Sequence, residues 1–301
     1  MKRALLVMLA ACSAAPRTTQ PVRHAPTDTS PGLVVLVIVD QFPEWSLERK
    51  RTELTHGFAR ILGEGDWRVG RHPSAATITA PGHTLLGTGR TPDASGIIAN
   101  EWWNRELNKK QKASEDENGQ TSSKWLRVPG LGDAVAAAHT GAKAVAVALK
   151  NRAARLPLGH AGTAIYYDAK TASFASNGNP TPWLATYNRE HPVGPRLVPW
   201  VPLDPVRLEK LSGVPDAQKG EVGEKGFGPT FPHDPNTTKN AADAAYAMPL
   251  GNDLVLETAL AAIDNEKLGD DRTVDLLIVS LSSHDYIAHG WGHESWETWD
   301  S

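Results

Sequence analysis

The sequence predicts an α/β fold with a mainly parallel sheet, and three observations carry that expectation. Residues 33–39, 144–149 and 274–281 form apolar runs dominated by Val, Leu, Ile and Ala. Runs of this kind read as strands buried on both faces. Helical segments separate them, which is the alternation of a layered α/β domain. Each run also ends in ionisable residues: Asp40, then Lys150 and Arg152, then Asp285 and His289. Ligands in such sheets bind beyond the carboxyl ends of the strands.

In chain order, Met1-Lys2-Arg3 is basic and Ala4–Ala11 is apolar but too short to span a bilayer. Leu9-Ala10-Ala11-Cys12 resembles a bacterial lipobox. The expectation is a lipoprotein-type signal peptide over 1–11, lipidation at Cys12 and a Pro-, Thr- and Ser-rich tether over 12–31. The chain would then be exported, to the periplasm or to a lipid-anchored place on the inner or outer membrane. Cys12 is the sole cysteine, so an intrachain disulfide is excluded. A net charge of -3 gives no basic surface for nucleic acid, and a lipid anchor is the one membrane contact expected.

The remainder, 32–301, reads as one domain. After the first strand, apolar spacing from Leu47 to Leu62 predicts a helix over roughly 43–62. Thr79 precedes Ala80-Pro81-Gly82 and a short apolar run, and proline suits a first helical turn. Thr79 is therefore expected at a helix N-terminus, where free N–H groups favour an anion; the plainer alternative is a simple N-cap. Residues 102–130 read as polar and irregular, with a charged loop around 109–117. Asp133 is expected to cap a helix reaching His139, and Asn252 or Asp253 another through Ile263. Residues 153–248 are rich in Pro, Asn and Gly and read as an inserted cap folded over the sheet edge.

The chemistry follows from the strand ends. Asp285-x-x-x-His289 places a carboxylate and an imidazole one helical turn apart, able to face one metal. Asp40 would supply an oxygen to a second metal beside Thr79, and two divalent ions can clamp the attacking and leaving oxygens of an in-line displacement. Lys150 and Arg152 suit non-bridging phosphate oxygens, with a solvated strand-end pair as the plainer alternative. His284 and His293 read as spare imidazoles, solvated or supporting.

These residues resemble the alkaline phosphatase superfamily, in the branch shared by type I phosphodiesterase/nucleotide pyrophosphatases and threonine-nucleophile alkaline phosphatases. The matching strings are Asp40, Thr77-x-Thr79-x-Pro81-Gly82-His83, Gly96-Ile97-Ile98-Ala99-Asn100 and Asp285-x-x-x-His289. Lys150-x-Arg152 resembles the phosphate-irrepressible periplasmic alkaline phosphatases. The resemblance implies a three-layer sandwich and Thr79 as nucleophile and metal ligand. It implies Asn100, Lys150 and Arg152 on the phosphoryl oxygens. It implies two divalent ions, expected to be Zn2+, held by Asp40, Thr79, Asp285 and His289. It also implies further metal ligands downstream, so the chain is expected to be an N-terminal part of a larger protein, with the C-terminal part of the sandwich absent.

The leading expectation is thus a metal-dependent phosphomonoester hydrolase working through a phospho-threonine intermediate on small phosphate esters. A phosphodiesterase or nucleotide pyrophosphatase with the same nucleophile is the alternative. A non-catalytic truncated surface lipoprotein is the alternative of a different class. A sulfatase would need Cys or Ser in a C/S-x-P-x-R setting, which Thr79-Ala80-Pro81-Gly82-His83 does not provide.

Overall fold

The computed structural model describes residues 31–301 and a two-residue strand at Leu5–Leu6. The rest of the expected signal segment, Cys12 and the tether lie outside the described residues. Leu5–Leu6 (β1) and Leu33–Val39 (β2) come first, followed by a hairpin of Glu101–Asn104 (β3) and Lys109–Lys112 (β4). Ala144–Ala148 (β5), Thr163–Asp168 (β6), Ser173–Asn177 (β7) and Asp275–Leu281 (β8) complete the strands. The main sheet has six strands in the order β1-β2-β8-β5-β6-β7. All its pairs are parallel except β6 with β7.

Period-two alternation divides each strand between two cores. Leu276 and Ile278 of β8 join Leu36, Ile38, Ala146 and Ala148 on one face, beneath Ala153, Ala154 and Leu158. Leu277 and Val279 join Val145, Val147 and Ile165 on the other, beneath Leu254, Val255, Ala259 and Ala262. The helices Thr79–Thr88, Leu131–Ala138 and Asn151–Leu158 thus cover one face, while Pro182–Glu190 and Pro249–Glu266 cover the opposite one. The result is a three-layer α/β/α sandwich. At the amino end of β8 the Asp275 carboxylate accepts the Lys143 and Gly269 N–H groups at 2.8 and 2.9 Å. That carboxylate ties the loops before β5 and β8 together.

Several boundaries differ from the sequence expectation. The helix expected over 43–62 is two, Glu44–Lys50 and His56–Glu64. The backbone is extended at Thr55 (φ -120°, ψ 178°) and left-handed at His56 (φ 52°). The apolar spacing survives the break because Leu47 of the first piece and Phe58 and Ile61 of the second line one cavity. Asp133 is the third residue of its helix rather than the cap: its carboxylate reaches back to the Gly130 N–H at 2.8 Å. Asn252 and Asp253 lie inside a helix that already begins at Pro249, where proline fits the first turn. Residues 101–112 pair as a hairpin rather than a loop. The sheet also claims β6 and β7 from the expected insertion, so the irregular region begins after Asn177. Glycine and proline density hid the short alternating string Thr163-Ala164-Ile165-Tyr166-Tyr167-Asp168.

One close approach sets the site's geometry. A Cβ on Gly87 would lie 2.2 Å from the Pro157 Cα, so the Thr79–Thr88 and Asn151–Leu158 helices touch backbone to backbone there. No side chain fits between them. We expect Gly87→Ala to destabilise the fold by about 1–3 kcal/mol through overpacking. Urea unfolding followed by circular dichroism measures this, and an unchanged midpoint would show that the helices are free to separate.

Candidate active site

Strands β2, β8 and β5 are neighbours, so their carboxyl ends bring Asp40, Asp285 and Lys150 to one place. Asp40 follows β2 and extends the ladder by donating its N–H to the Leu281 carbonyl at 2.9 Å. Asp285 lies in the first turn of the helix Ser283–Trp291, which starts just after β8. Lys150 precedes the helix Asn151–Leu158 and its side chain is 1% exposed. Its ammonium donates to Asp40 Oδ2 at 2.8 Å, to Thr79 Oγ1 at 3.3 Å and to Asp285 Oδ2. Thr79 in turn donates its hydroxyl to Asp40 Oδ2 at 3.3 Å. Burial alone would raise the Asp40 pKa, but the surrounding His83, Lys150 and Arg152 outweigh it and hold the carboxyl below its ordinary value. Of these, Lys150 and Arg152 carry the effect, because burial holds His83 neutral by lowering its own pKa.

Thr79 is the first helical residue and the extended Ile78 is the cap, so the simple N-cap reading fails. The helix end offers an anion less backbone than expected. The Ala80 N–H is bound to Asn100 Oδ1 at 2.8 Å, Pro81 has none, and the Gly82 N–H bonds to the Ile78 carbonyl at 2.9 Å. An anion at this helix end would therefore rely largely on side chains. With Asn100 Oδ1 engaged by Ala80, the Asn100 amide N–H groups are its free face toward the cleft it lines. Arg152 lines the same cleft, and its buried Nε has no hydrogen-bond partner. A phosphoryl oxygen would satisfy that donor.

His83 is a residue the sequence reading quoted in a motif without giving it a role. Its ring is buried, with Nδ1 at 2.9 Å from the Thr79 carbonyl and Nε2 at 2.8 Å from Ser280 Oγ. The carbonyl can only accept, so Nδ1 carries the proton and Nε2 accepts from the serine hydroxyl. This chain of bonds fixes the backbone of Thr79 to the central strand. The available signal was the i, i+4 spacing of Thr79 and His83.

The expected metal residues are drawn together in pairs. His289 Nε2 lies 3.4 Å from Asp285 Oδ1, and Asp40 contacts Thr79. Carboxylate, hydroxyl and imidazole donors suit a divalent ion in kind. Both carboxylates already converge on one cationic atom, Lys150 Nζ. Among the described residues no group of three His, Cys, Asp or Glu gathers around either pair. Of the solvated and supporting readings of His284, the solvated one fails. Its ring is buried rather than solvated, packs edge-on against Phe42 at 5.3 Å, and is held at a pKa of about 3 mainly by burial. His293 packs edge-on against Trp45 at 5.3 Å. Among the described residues, no helix is long and apolar enough to cross a membrane.

Residues 34–300 match the family model described as type I phosphodiesterase / nucleotide pyrophosphatase. Alkaline phosphatase PafA of Elizabethkingia meningoseptica is 33% identical over 295 residues, covering 90% of this chain and 54% of the relative. Alkaline phosphatase PhoV of Synechococcus elongatus is 34% identical over 307 residues, covering 94% and 55%. The crystal structure of wild-type alkaline phosphatase PafA aligns with a TM-score of 0.78 at 30% identity, covering 96% of this chain and 57% of that one. The chain therefore spans about half the length of the curated relatives it matches.

Two measurements test the geometry. Lys150→Met strands two part-buried carboxylates, and in chelator-treated protein it should cost about 3–5 kcal/mol of stability. Adding Asp285→Asn should recover part of that loss, and a double-mutant cycle with no coupling would show that the bridge contributes nothing. Ser280→Ala leaves the buried His83 Nε2 unpaired and should cost about 1–3 kcal/mol in urea unfolding.

Proposed function

Because the chain belongs to the type I phosphodiesterase / nucleotide pyrophosphatase family, we propose that it carries the nucleophile and phosphoryl-binding half of an alkaline-phosphatase-type phosphomonoester hydrolase. The observation that carries this reading is the Thr79 hydroxyl, held at a helix start with Asp40 and Lys150 both 3.3 Å away.

The Thr79 hydroxyl gives its proton to solvent as its oxygen attacks phosphorus in line. The bond from phosphorus to the ester oxygen breaks, and the alcohol leaves with a proton from water. Water then cleaves the phospho-threonine, releasing inorganic phosphate and restoring the hydroxyl. Lys150, already in contact with Thr79 Oγ1, lies beside any phosphoryl group joined to that oxygen. Asn100 donates its amide N–H groups, and Arg152 donates through its unpaired guanidinium nitrogen. His83 fixes the Thr79 backbone, so the hydroxyl needs little reorganisation to reach phosphorus. Divalent cations, with Asp40 and Thr79 on one side and Asp285 and His289 on the other, would supply Lewis-acid stabilisation of the attacking and leaving oxygens. Zinc suits this oxygen and imidazole donor set.

Two added cations, Lys150 and Arg152, favour a monoester over a diester, because the dianion exposes one more anionic oxygen. The basic and apolar start of the chain and Cys12 support an exported, lipid-anchored enzyme.

The test is p-nitrophenyl phosphate hydrolysis in zinc-supplemented buffer. Thr79→Ala should abolish turnover. The Lys150→Ala, Arg152→Ala pair should lower kcat/KM for the monoester by at least about 100-fold, at roughly 1.4 kcal/mol per tenfold. Bis-p-nitrophenyl phosphate should lose much less. A Thr79→Ala protein that keeps its activity would refute the phospho-threonine route, and equal losses on both esters would favour the diesterase.

A further inference from the structure

The cleft of about 720 Å³ that contains Thr79 has two kinds of wall. Its polar side is Asp40, Thr79, Asn100, Arg152, Asp285 and His289. A second set of lining residues is Phe42, Trp45, His72, Ile78 and His293. This second wall plays no part in the chemistry derived above, yet it begins two residues after Asp40 and one residue before Thr79.

The aromatic wall is built rather than incidental. Gln41 takes a left-handed conformation (φ 62°), which turns the chain directly after Asp40. Phe42 is then fixed from two sides, edge-on to Phe58 at 6.0 Å and to His284 at 5.3 Å. Trp45 is held edge-on by His293 at 5.3 Å and remains 47% exposed. Ile78 is 50% exposed beside the nucleophile. Large apolar side chains held half-open in the cleft that also presents Thr79, Asn100 and the unpaired Arg152 Nε favour a ligand with a phosphoryl group at one end and a flat, apolar group at the other. A second cavity of about 420 Å³ lies behind Phe42 and shares Ile38, Val39 and Leu86 with the cleft, so the apolar surface continues beyond the first ring.

We propose that Phe42, Trp45, Ile78 and His293 form a leaving-group subsite that selects phosphate monoesters whose ester oxygen bears an aryl or arylmethyl group. This rests on the reading of Thr79, Asn100 and Arg152 as the phosphoryl site, and it adds the class of alcohol released. Trp45 is the residue that determines specificity, because its indole is the largest half-exposed surface of the wall.

The test is binding of benzylphosphonate against ethylphosphonate by titration calorimetry, using the whole chain in zinc-supplemented buffer. An aromatic contact of about 0.5–1.5 kcal/mol corresponds to a preference of about 2- to 12-fold for the benzyl compound. Trp45→Ala should bring the affinity ratio to about one, and Trp45→Phe should keep most of it. Hydrolysis of benzyl phosphate against ethyl phosphate, two esters of similar alcohols, should show the same ratio in kcat/KM. Equal affinity for the two phosphonates in the unaltered chain would overturn the subsite and leave the phosphoryl site standing. So would a preference that survives Trp45→Ala. Failure of both phosphonates to bind would overturn the phosphoryl site and the subsite with it.

Discussion

The site depends on one buried cation. Lys150 holds Asp40 and Asp285 together, two carboxylates that lie 245 residues apart in the chain and would otherwise repel. The sheet order explains how they meet. Because β8 runs between β2 and β5, the residues that follow these three strands must emerge side by side. Lys150 is almost wholly buried, so the ion pairs are screened little, and removing either sign would leave the other stranded. The contact of Gly87 with Pro157 then brings the Thr79 helix against the helix that Lys150 begins. A topological fact, a charge pair and a missing side chain together place one hydroxyl beside one ammonium.

Much of this was legible because the signals were local. The first and last buried runs are strands over nearly their predicted lengths, since a parallel strand buried on both faces needs a continuous apolar string. The ionisable residues at their ends were legible for the same reason: a strand's last residue is where a parallel sheet exposes polar groups. Thr79 at a helix start followed from proline two positions later.

What escaped was non-local or depended on backbone conformation. Nothing in Gly87 says that Pro157 will lie against it. His83 reads as an ordinary polar residue until Ser280, 197 positions away, is placed across from its ring. The break between the helices near Thr55 was hidden because periodicity reports which face is apolar, not whether the helix is continuous. Strands β6 and β7 escaped because glycine and proline signals around them suggest an irregular insertion, while β5 offers β6 a ready partner edge.

The neighbours of Thr79 also limit how its proton can leave. Asp40 is held below its ordinary pKa, which makes it a weak base. Lys150 is the donor in each of its contacts with Asp40, Asp285 and Thr79. His83 turns its protonated nitrogen to the Thr79 carbonyl and gives its lone pair to Ser280. Asp40 accepts the hydroxyl's hydrogen bond but is a weak base, and neither Lys150 nor His83 is placed to take the proton, so general-base activation is not what this geometry favours. What it provides is the Lys150 ammonium 3.3 Å from the oxygen that the proposed reaction would make anionic. Asp40 and Asp285 keep that charge in place. On the proposed reading of Thr79 as nucleophile, the hydroxyl would be prepared by stabilising its anion rather than by a base that removes its proton, with Lys150 and the two carboxylates that hold it as the controlling placement.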